Sequence, residues 1–255
     1  MAVELQPVVQ GPELDGSVGY ASPRMRARVL IGCALAALAA LALAACGSSS
    51  GGGAIAGRAP DVIVARATQA IDAVRTVRVS GAISDGSSKH PIRLDLQLVN
   101  GRGATGSMSE NGASFRLITV GGESYVNGSP EFWRQFGGSA VADQLQGKWL
   151  RASASDGDFA SLASLTQVHK LLAALLTGHG PLVRGATSTL AGHPVIALHD
   201  TSEHGTLYVA TTGAPYPIRI QDTGSRGGEL NFGDFDAPVT LTPPKSSVDI
   251  SDLTR

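Results

Sequence analysis

Few residues in this chain of 255 residues stand where their type and spacing could do chemistry. The thiols are the scarcest: Cys33 and Cys46 are the two cysteines, both lie in or beside one apolar run, and the chain beyond Cys46 has none. That excludes a disulfide framework, a thiolate zinc cluster and a cysteine nucleophile from the body of the protein. Six histidines are present, His90, His169, His179, His193, His199 and His204, and none forms a pair at metal-ligand spacing on a helix. No metal is therefore expected. Asp200 and Glu203 beside His199 and His204 could form an acid–base group, but carboxylates at a polar hairpin are ordinarily solvated surface. Gly101-Arg102-Gly103-Ala104-Thr105-Gly106 has the spacing of a dinucleotide fingerprint. That chemistry needs a helix whose N-terminus meets the pyrophosphate. Here Asn111-Gly112 turns the chain back as a strand, so glycines in a twisted or bulged strand are the expectation. Gly47-Ser48-Ser49-Ser50-Gly51 has the spacing of a hydrolase nucleophile elbow but lacks the strand before it and the helix after it. No catalytic residue and no cofactor are expected, and the chain does not read as an enzyme.

The chemistry left over belongs to Cys46. Residues 29–45 are uninterrupted by charge, and Arg24, Arg26 and Arg28 stand immediately before them. A basic segment followed by an apolar one is the pattern of a secretory signal. The run ends Leu43-Ala44-Ala45-Cys46, which resembles the bacterial lipobox. That resemblance implies cleavage before Cys46 and a diacylglycerol on its thiol. The alternative is an uncleaved transmembrane helix, for which 17 apolar residues lie at the lower limit. Residues 1–24 hold Pro7, Pro12 and Pro23 without periodicity and read as an upstream extension or a mis-assigned start, with the signal beginning at Met25. Residues 46–59, rich in Gly and Ser, read as a flexible tether.

The elements that follow must then make the body. Pro60 and Asp61 open an amphipathic helix, with Asp61 as the expected N-cap and Ile63, Ala67, Ala70, Ile71 and Val74 on one face through Arg75. Strands follow: Val77, Val79, Gly81 and Ile83 alternate, and Ile92, Leu94, Leu96 and Leu98 alternate strictly with Arg93, Asp95 and Gln97. Such alternation marks one buried and one wet face, as in an antiparallel sheet. Residues 101–109 and 113–120 flank the Asn111-Gly112 turn, and a short strand carries Tyr125. Phe132, Trp133 and Phe136 have helical spacing between Pro130 and Phe136. They either pack a short helix onto the sheet or form an apolar lid. Lys148-Trp149-Leu150 reads as a short strand. Leu162, Leu165, Val168, Leu171, Leu172 and Leu175 form a helical stripe ending near Gly178. Strands near 182–190, 194–200, 205–211, 216–222 and 228–235 are separated by turn residues, and Pro243-Pro244 ends the pattern.

Composition sets further limits. The net charge is −1 and charged residues are 16% of the chain, which argues against a nucleic-acid partner held by clustered Lys and Arg. At 43% apolar the chain can build a core. About eleven strands with two or three helices, and no helix alternating with strands, give an α+β class. The expectation is one domain over residues 60–245 and a tail over 246–255.

The order of elements carries a family resemblance. Gly122-Glu123-Ser124-Tyr125-Val126-Asn127-Gly128 precedes Phe132-Trp133 and Gly147-Lys148-Trp149. The Leu-rich helix, then Gly213-Ala214-Pro215-Tyr216-Pro217 and Phe232-Gly233-Asp234-Phe235-Asp236-Ala237-Pro238, come after. The pattern resembles the actinobacterial LppX/LprG-type envelope lipoproteins, related in architecture to the periplasmic carrier LolA. The resemblance implies an antiparallel β half-barrel wrapped over helices. It also implies an apolar cavity for acyl chains of a lipid or lipoglycan, anchoring at the outer face of the cell membrane, and a membrane transporter as a further candidate partner. It implies no catalytic residues. Independently, a broad strand face poor in aromatics and covered by few helices packs incompletely, and an apolar void suits an alkyl chain. The candidate lining is Ile92, Leu94, Leu96 and Leu98, with Leu117, Val195, Leu207, Ile218 and Ile220 from other strands and Leu165, Val168 and Leu172 from the Leu-rich helix. The same residues could form a packed core without a ligand, and sequence leaves both outcomes open.

Overall fold

Pro60 opens the folded body, because its fixed φ suits the first helical position and its missing N–H is not needed there. The computed structural model describes residues 55–84, 90–155, 176, 179–224 and 227–253. Helix α1 spans Pro60–Asp72. Its N-cap is Ala59, with no side-chain cap, and not Asp61, which lies in the first turn where the helix dipole favours a carboxylate. The helix stops at Asp72 rather than Arg75, and the Ala73 N–H closes the last turn onto Gln69. Ile63, Val64, Ala67 and Ile71 form its buried stripe.

Among the described residues a single sheet of 12 strands receives that stripe. The first run is β1 (Thr76–Ile83), β2 (Ile92–Val99), β3 (Gly103–Glu110), β4 (Ala113–Val120), β5 (Glu123–Gly128) and β6 (Leu150–Ser153). The second is β7 (Leu182–Leu190), β8 (His193–Asp200), β9 (Gly205–Ala210), β10 (Pro217–Asp222) and β11 (Gly228–Gly233). Strand β1 pairs with β11, so the two meanders join into one open half-barrel. The order is β12-β6-β5-β4-β3-β2-β1-β11-β10-β9-β8-β7.

Register follows the alternation read in β2. Leu96 lies opposite Val79 and Gly106, and Leu98 opposite Val77 and Ala104, which puts these side chains on the inner face. Arg93, Asp95 and Gln97 take the outer face. There Arg78 clasps Asp95 through two hydrogen bonds of 2.7 and 2.6 Å.

Helix α2 covers the β4–β6 end. It runs Pro130–Leu145, longer than the segment expected, because a second helical piece continues beyond Gly138. Gly138 has φ 82° and ψ −175°, a conformation open to glycine, and this is where the helix kinks. Ser129 caps the start by accepting the Phe132 N–H at 3.2 Å.

Two further expectations are corrected. Strand β6 starts at Leu150, leaving Lys148 and Trp149 before it. The segment 246–255 is not simply a tail: β12 (Val248–Asp249) pairs with β6 in parallel, followed by a 3-10 turn at Ile250–Asp252. Two residues of strand behind Pro243-Pro244 are too short for any periodic signal. The leader, the tether with Cys46, and the Leu-rich segment with Leu165, Val168 and Leu172 lie outside the described residues.

A candidate acyl cavity under strands β8 to β11

The inner face is not uniformly filled. At its centre Ile71 and Val74 press on Val77, Val79, Leu96, Leu98, Leu230 and Phe232 in a continuous core. Toward β6, Trp133, Ala142 and Leu145 from α2 pack on Leu117, Val126 and Leu150. Toward β8, Ile63, Val64 and Ala67 meet Ile196, Leu198 and Val209. A cavity of about 330 Å³ opens beside this third cluster. Its apolar walls are Ile83, Leu198, Leu207, Ile220 and Leu230 from five strands, with Leu182 and Leu176. The volume lies at the lower end of the roughly 300–1,000 Å³ of ligand pockets.

The mouth is polar and acidic. His179, Asp200, Glu203 and Asp222 stand there. Alternation brings Asp200 inward two residues after Leu198, and Asp222 inward two residues after Ile220. Asp200 is held as a carboxylate by the Ser202 N–H at 2.8 Å, the Gly180 N–H at 2.7 Å and the Glu203 N–H at 3.1 Å. These donors, Ser202 foremost, bring its pKa down to about 2. Asp222 accepts the Gly224 N–H at 2.7 Å. Both carboxylates therefore organise loops.

His199 faces away from Asp200 and meets Thr206, with Nδ1 and Oγ1 3.0 Å apart. The acid–base group suggested by His199, Asp200, Glu203 and His204 is thus divided between faces. No cluster of metal-ligating side chains occurs among the described residues. The glycines of the fingerprint lie in β3, paired with β4, and not before a helix. Trp133 is fully buried, so the aromatic cluster packs α2 onto β4 and β5 (Phe115 and Phe132 are 4.8 Å apart).

Of the residues expected to line a cavity, Leu207 and Ile220 stand in its wall. Leu96, Leu98 and Leu117 belong to the packed cores under the two helices instead. Leu94 packs at the edge of the central core, and Ile92, half-buried, lies opposite Ile83. Val195 and Ile218 are on the other face of the sheet. With Ala210 they form a small separate core under Leu190, Tyr208, Tyr216 and Phe235. The reason is local. Val195-Ile196-Ala197-Leu198 is apolar throughout, so its sequence does not say which residues face inward, and a bulge in β10 displaces Ile218. Sequence reasoning misses Ile83, Leu176, Leu182, Leu198 and Leu230. For Leu198, its phase with Asp200 at a turn was the available signal.

No protein-family model matches the chain, and no curated protein matches it. Among solved structures, LprF from Mycobacterium bovis is similar over 73% of this chain and 98% of its own, with a TM-score of 0.53 at 12% identity. The Mycobacterium tuberculosis lipoprotein LppX is similar over 72% of this chain and 100% of its own, with a TM-score of 0.47 at 18% identity. A LolA superfamily protein from Nitrosomonas europaea covers 72% of this chain and 97% of its own, with a TM-score of 0.29 at 11% identity. The likeness to LprF shows the architecture that the order of elements implied: the chain has an open half-barrel fold similar to that of LprF.

Proposed function

We propose that this protein is an envelope lipoprotein of the LppX/LprG type. In this reading it is anchored through Cys46 at the extracytoplasmic face of the cell membrane and binds or transfers an acylated lipid or lipoglycan. The carrying observation is the apolar cavity of about 330 Å³ between Ile83, Leu198, Leu207, Ile220 and Leu230. An apolar void this size forfeits dispersion contacts along its walls, and an alkyl chain restores them. Each methylene buried contributes about 0.8 kcal/mol, so affinity grows with chain length rather than with charge. Binding through the chain should then survive high salt. The competing reading, a tethered interaction protein with a packed core, explains the centre of the sheet but not this void.

Two measurements on the full chain test the proposal. Labelling cells with a fatty-acid probe should mark the wild type and not Cys46→Ala; equal labelling sinks the anchor. A photoactivatable fatty acyl probe should be captured by β8–β11 residues, mapped by peptide mass spectrometry. Capture confined to the N-terminal segment would leave the packed-core reading standing.

A further inference from the structure

The outer face of the first meander carries a groove that acyl binding does not use. Its floor is β3, whose outward residues there are short. Ser109 lies opposite Arg93 of β2, and Ser107 lies between Asp95 of β2 and Arg116 of β4. Short side chains between long ones leave two hollows of about 550 and 500 Å³, which share Asp95, Ser107 and Arg116 and so run on into each other. From β2 to β4 is two strand spacings, roughly 10 Å, the width of one extended polymer chain. We propose that this groove binds a polysaccharide that bears carboxylates, one containing uronate units. The choice of a polysaccharide rests on the envelope location proposed above, where such polymers rather than nucleic acids are the acidic chains within reach.

Charge in the groove favours an anion. Among the described residues that line it, Arg78, Arg93 and Arg116 stand against one carboxylate, Asp95. Both oxygens of Asp95 are taken by Arg78, at 2.7 and 2.6 Å. Arg116 has no such partner. Its neighbours in register, Ser107 and Asn127, are uncharged, and so are Ser114 and Ile118 beside it on the same face of β4. It is nevertheless held in place. It donates to Asn127 Oδ1 at 3.0 Å, and Asn127 Nδ2 in turn donates to the Lys148 carbonyl oxygen at 2.7 Å. The guanidinium also lies over Trp149, 5.2 Å from the ring centroid. A guanidinium has five N–H donors in a rigid fork that matches a carboxylate, so Arg116 keeps donors for a ligand while holding Asn127. The Ser107 and Ser109 hydroxyls on the floor suit sugar hydroxyls, and half-buried Trp149 offers an apolar wall to the C–H face of a sugar ring. A flat anionic membrane would meet Arg93 and Arg116 but leave the floor between them unfilled.

The test uses the full acylated chain in phosphatidylcholine nanodiscs, titrated with oligogalacturonate and, separately, with neutral dextran oligomers of the same length. Of the two tryptophans, Trp133 is fully buried, so a change in emission during titration reports Trp149. Oligogalacturonate should change that emission and bind more weakly as salt rises, and dextran should do neither. Arg116→Gln should weaken binding by at least about tenfold, because it removes a charge-assisted pair. Ser107→Glu, at an exposed position, sets a carboxylate opposite Arg116 in register. It should weaken binding as much and serves if the first variant fails to fold. Neither variant should alter acyl-probe capture at β8–β11, so failure of the groove and failure of the acyl cavity are read separately. No binding of oligogalacturonate, equal binding of dextran, or an affinity unchanged in both variants overturns the assignment. Capture by phosphatidylglycerol vesicles without binding of oligogalacturonate also overturns it, and gives these arginines to a membrane surface instead.

Discussion

Ile218 and Ile220 are two residues apart in one strand, yet they lie on opposite faces of the sheet. Pro217 pairs with Val209 and Arg219 with Tyr208, so β10 carries one more residue than its partner between these points. The extra residue is Ile218, displaced to the outer face as bulges do. It is 3% exposed there, against Val195 and Ala210, while Ile220 faces the cavity. Ile218→Ala should therefore cost about 2–5 kcal/mol of stability, as for other buried isoleucines. It should leave acyl capture per folded molecule unchanged. Denaturant unfolding with probe capture on the same samples checks both halves.

The same bulge shows where sequence runs short. Strict alternation made β2 legible: Ile92 through Leu98 have one phase, and the structure pairs them accordingly with β1 and β3. The succession of strands in the second meander was legible from turn residues. Facing in β8 and β10 was not, because a four-residue apolar run and a bulge both erase the period of two. The division of the inner face into core and void depends on where α1 and α2 lie across it. Helical phase says which side of α1 is apolar, not which strands it covers.

The C-terminal segment should be structural. Val248 pairs with Leu150 on β6, and Val248, Ile250 and Leu253 pack on the core under α2. Arg151 donates to Asp249 at 2.6 Å across this edge. Val248→Ala and Ile250→Ala should each cost about 1–2 kcal/mol, below fully buried positions because both are half-exposed. Removing residues 246–255 should lower the melting temperature more than either. An unchanged melting temperature after truncation would mean that β12 contributes nothing.

Gly103 separates close strand packing from phosphate binding. Its φ is +137°, and a Cβ there would lie 1.8 Å from the Thr119 carbonyl oxygen of β4. Since that neighbour is backbone, Gly103→Ala must distort the β3–β4 pair, at an expected cost above about 1 kcal/mol. Gly101, where a Cβ would meet nothing but where φ is +66°, should tolerate alanine better. A chemical denaturation series on the two variants ranks them; equal losses would contradict the packing explanation.

Asp200 predicts the sign of a pH effect. Its folded pKa is about 2, held down first by the Ser202 N–H and also by those of Gly180 and Glu203. In the unfolded chain it returns to about 3.9. Above that value both states are ionised and the stabilisation is fully present. As pH falls toward the folded pKa, the unfolded state binds the proton first and the stabilisation is lost. Asp249, also at about 2 through Ser251 and Arg151, adds a second group in the same window. Wild type should lose melting temperature between about pH 4 and pH 2, and Asp200→Asn should lose less across that interval. Parallel slopes for the two proteins would exclude Asp200 as a contributor.

Filling the void is the most direct test of what it is for. Ile220 lies between Leu207 and Leu230 in register, so its side chain enters the cavity from the middle of its wall. Ile220→Trp adds bulk where the structure leaves about 330 Å³ empty, so the overpacking cost of roughly 1–3 kcal/mol in a filled core should be largely avoided. The same substitution at Leu98, which has no exposed surface and packs in the central core, should carry that cost in full. Ile220→Trp should thus keep the melting temperature near wild type and reduce acyl-probe capture at β8–β11. Leu98→Trp should instead destabilise the fold. If Ile220→Trp destabilises as much as Leu98→Trp, the space beside Ile220 is not available to a ligand. If it is tolerated and capture is undiminished, the acyl chain is held elsewhere.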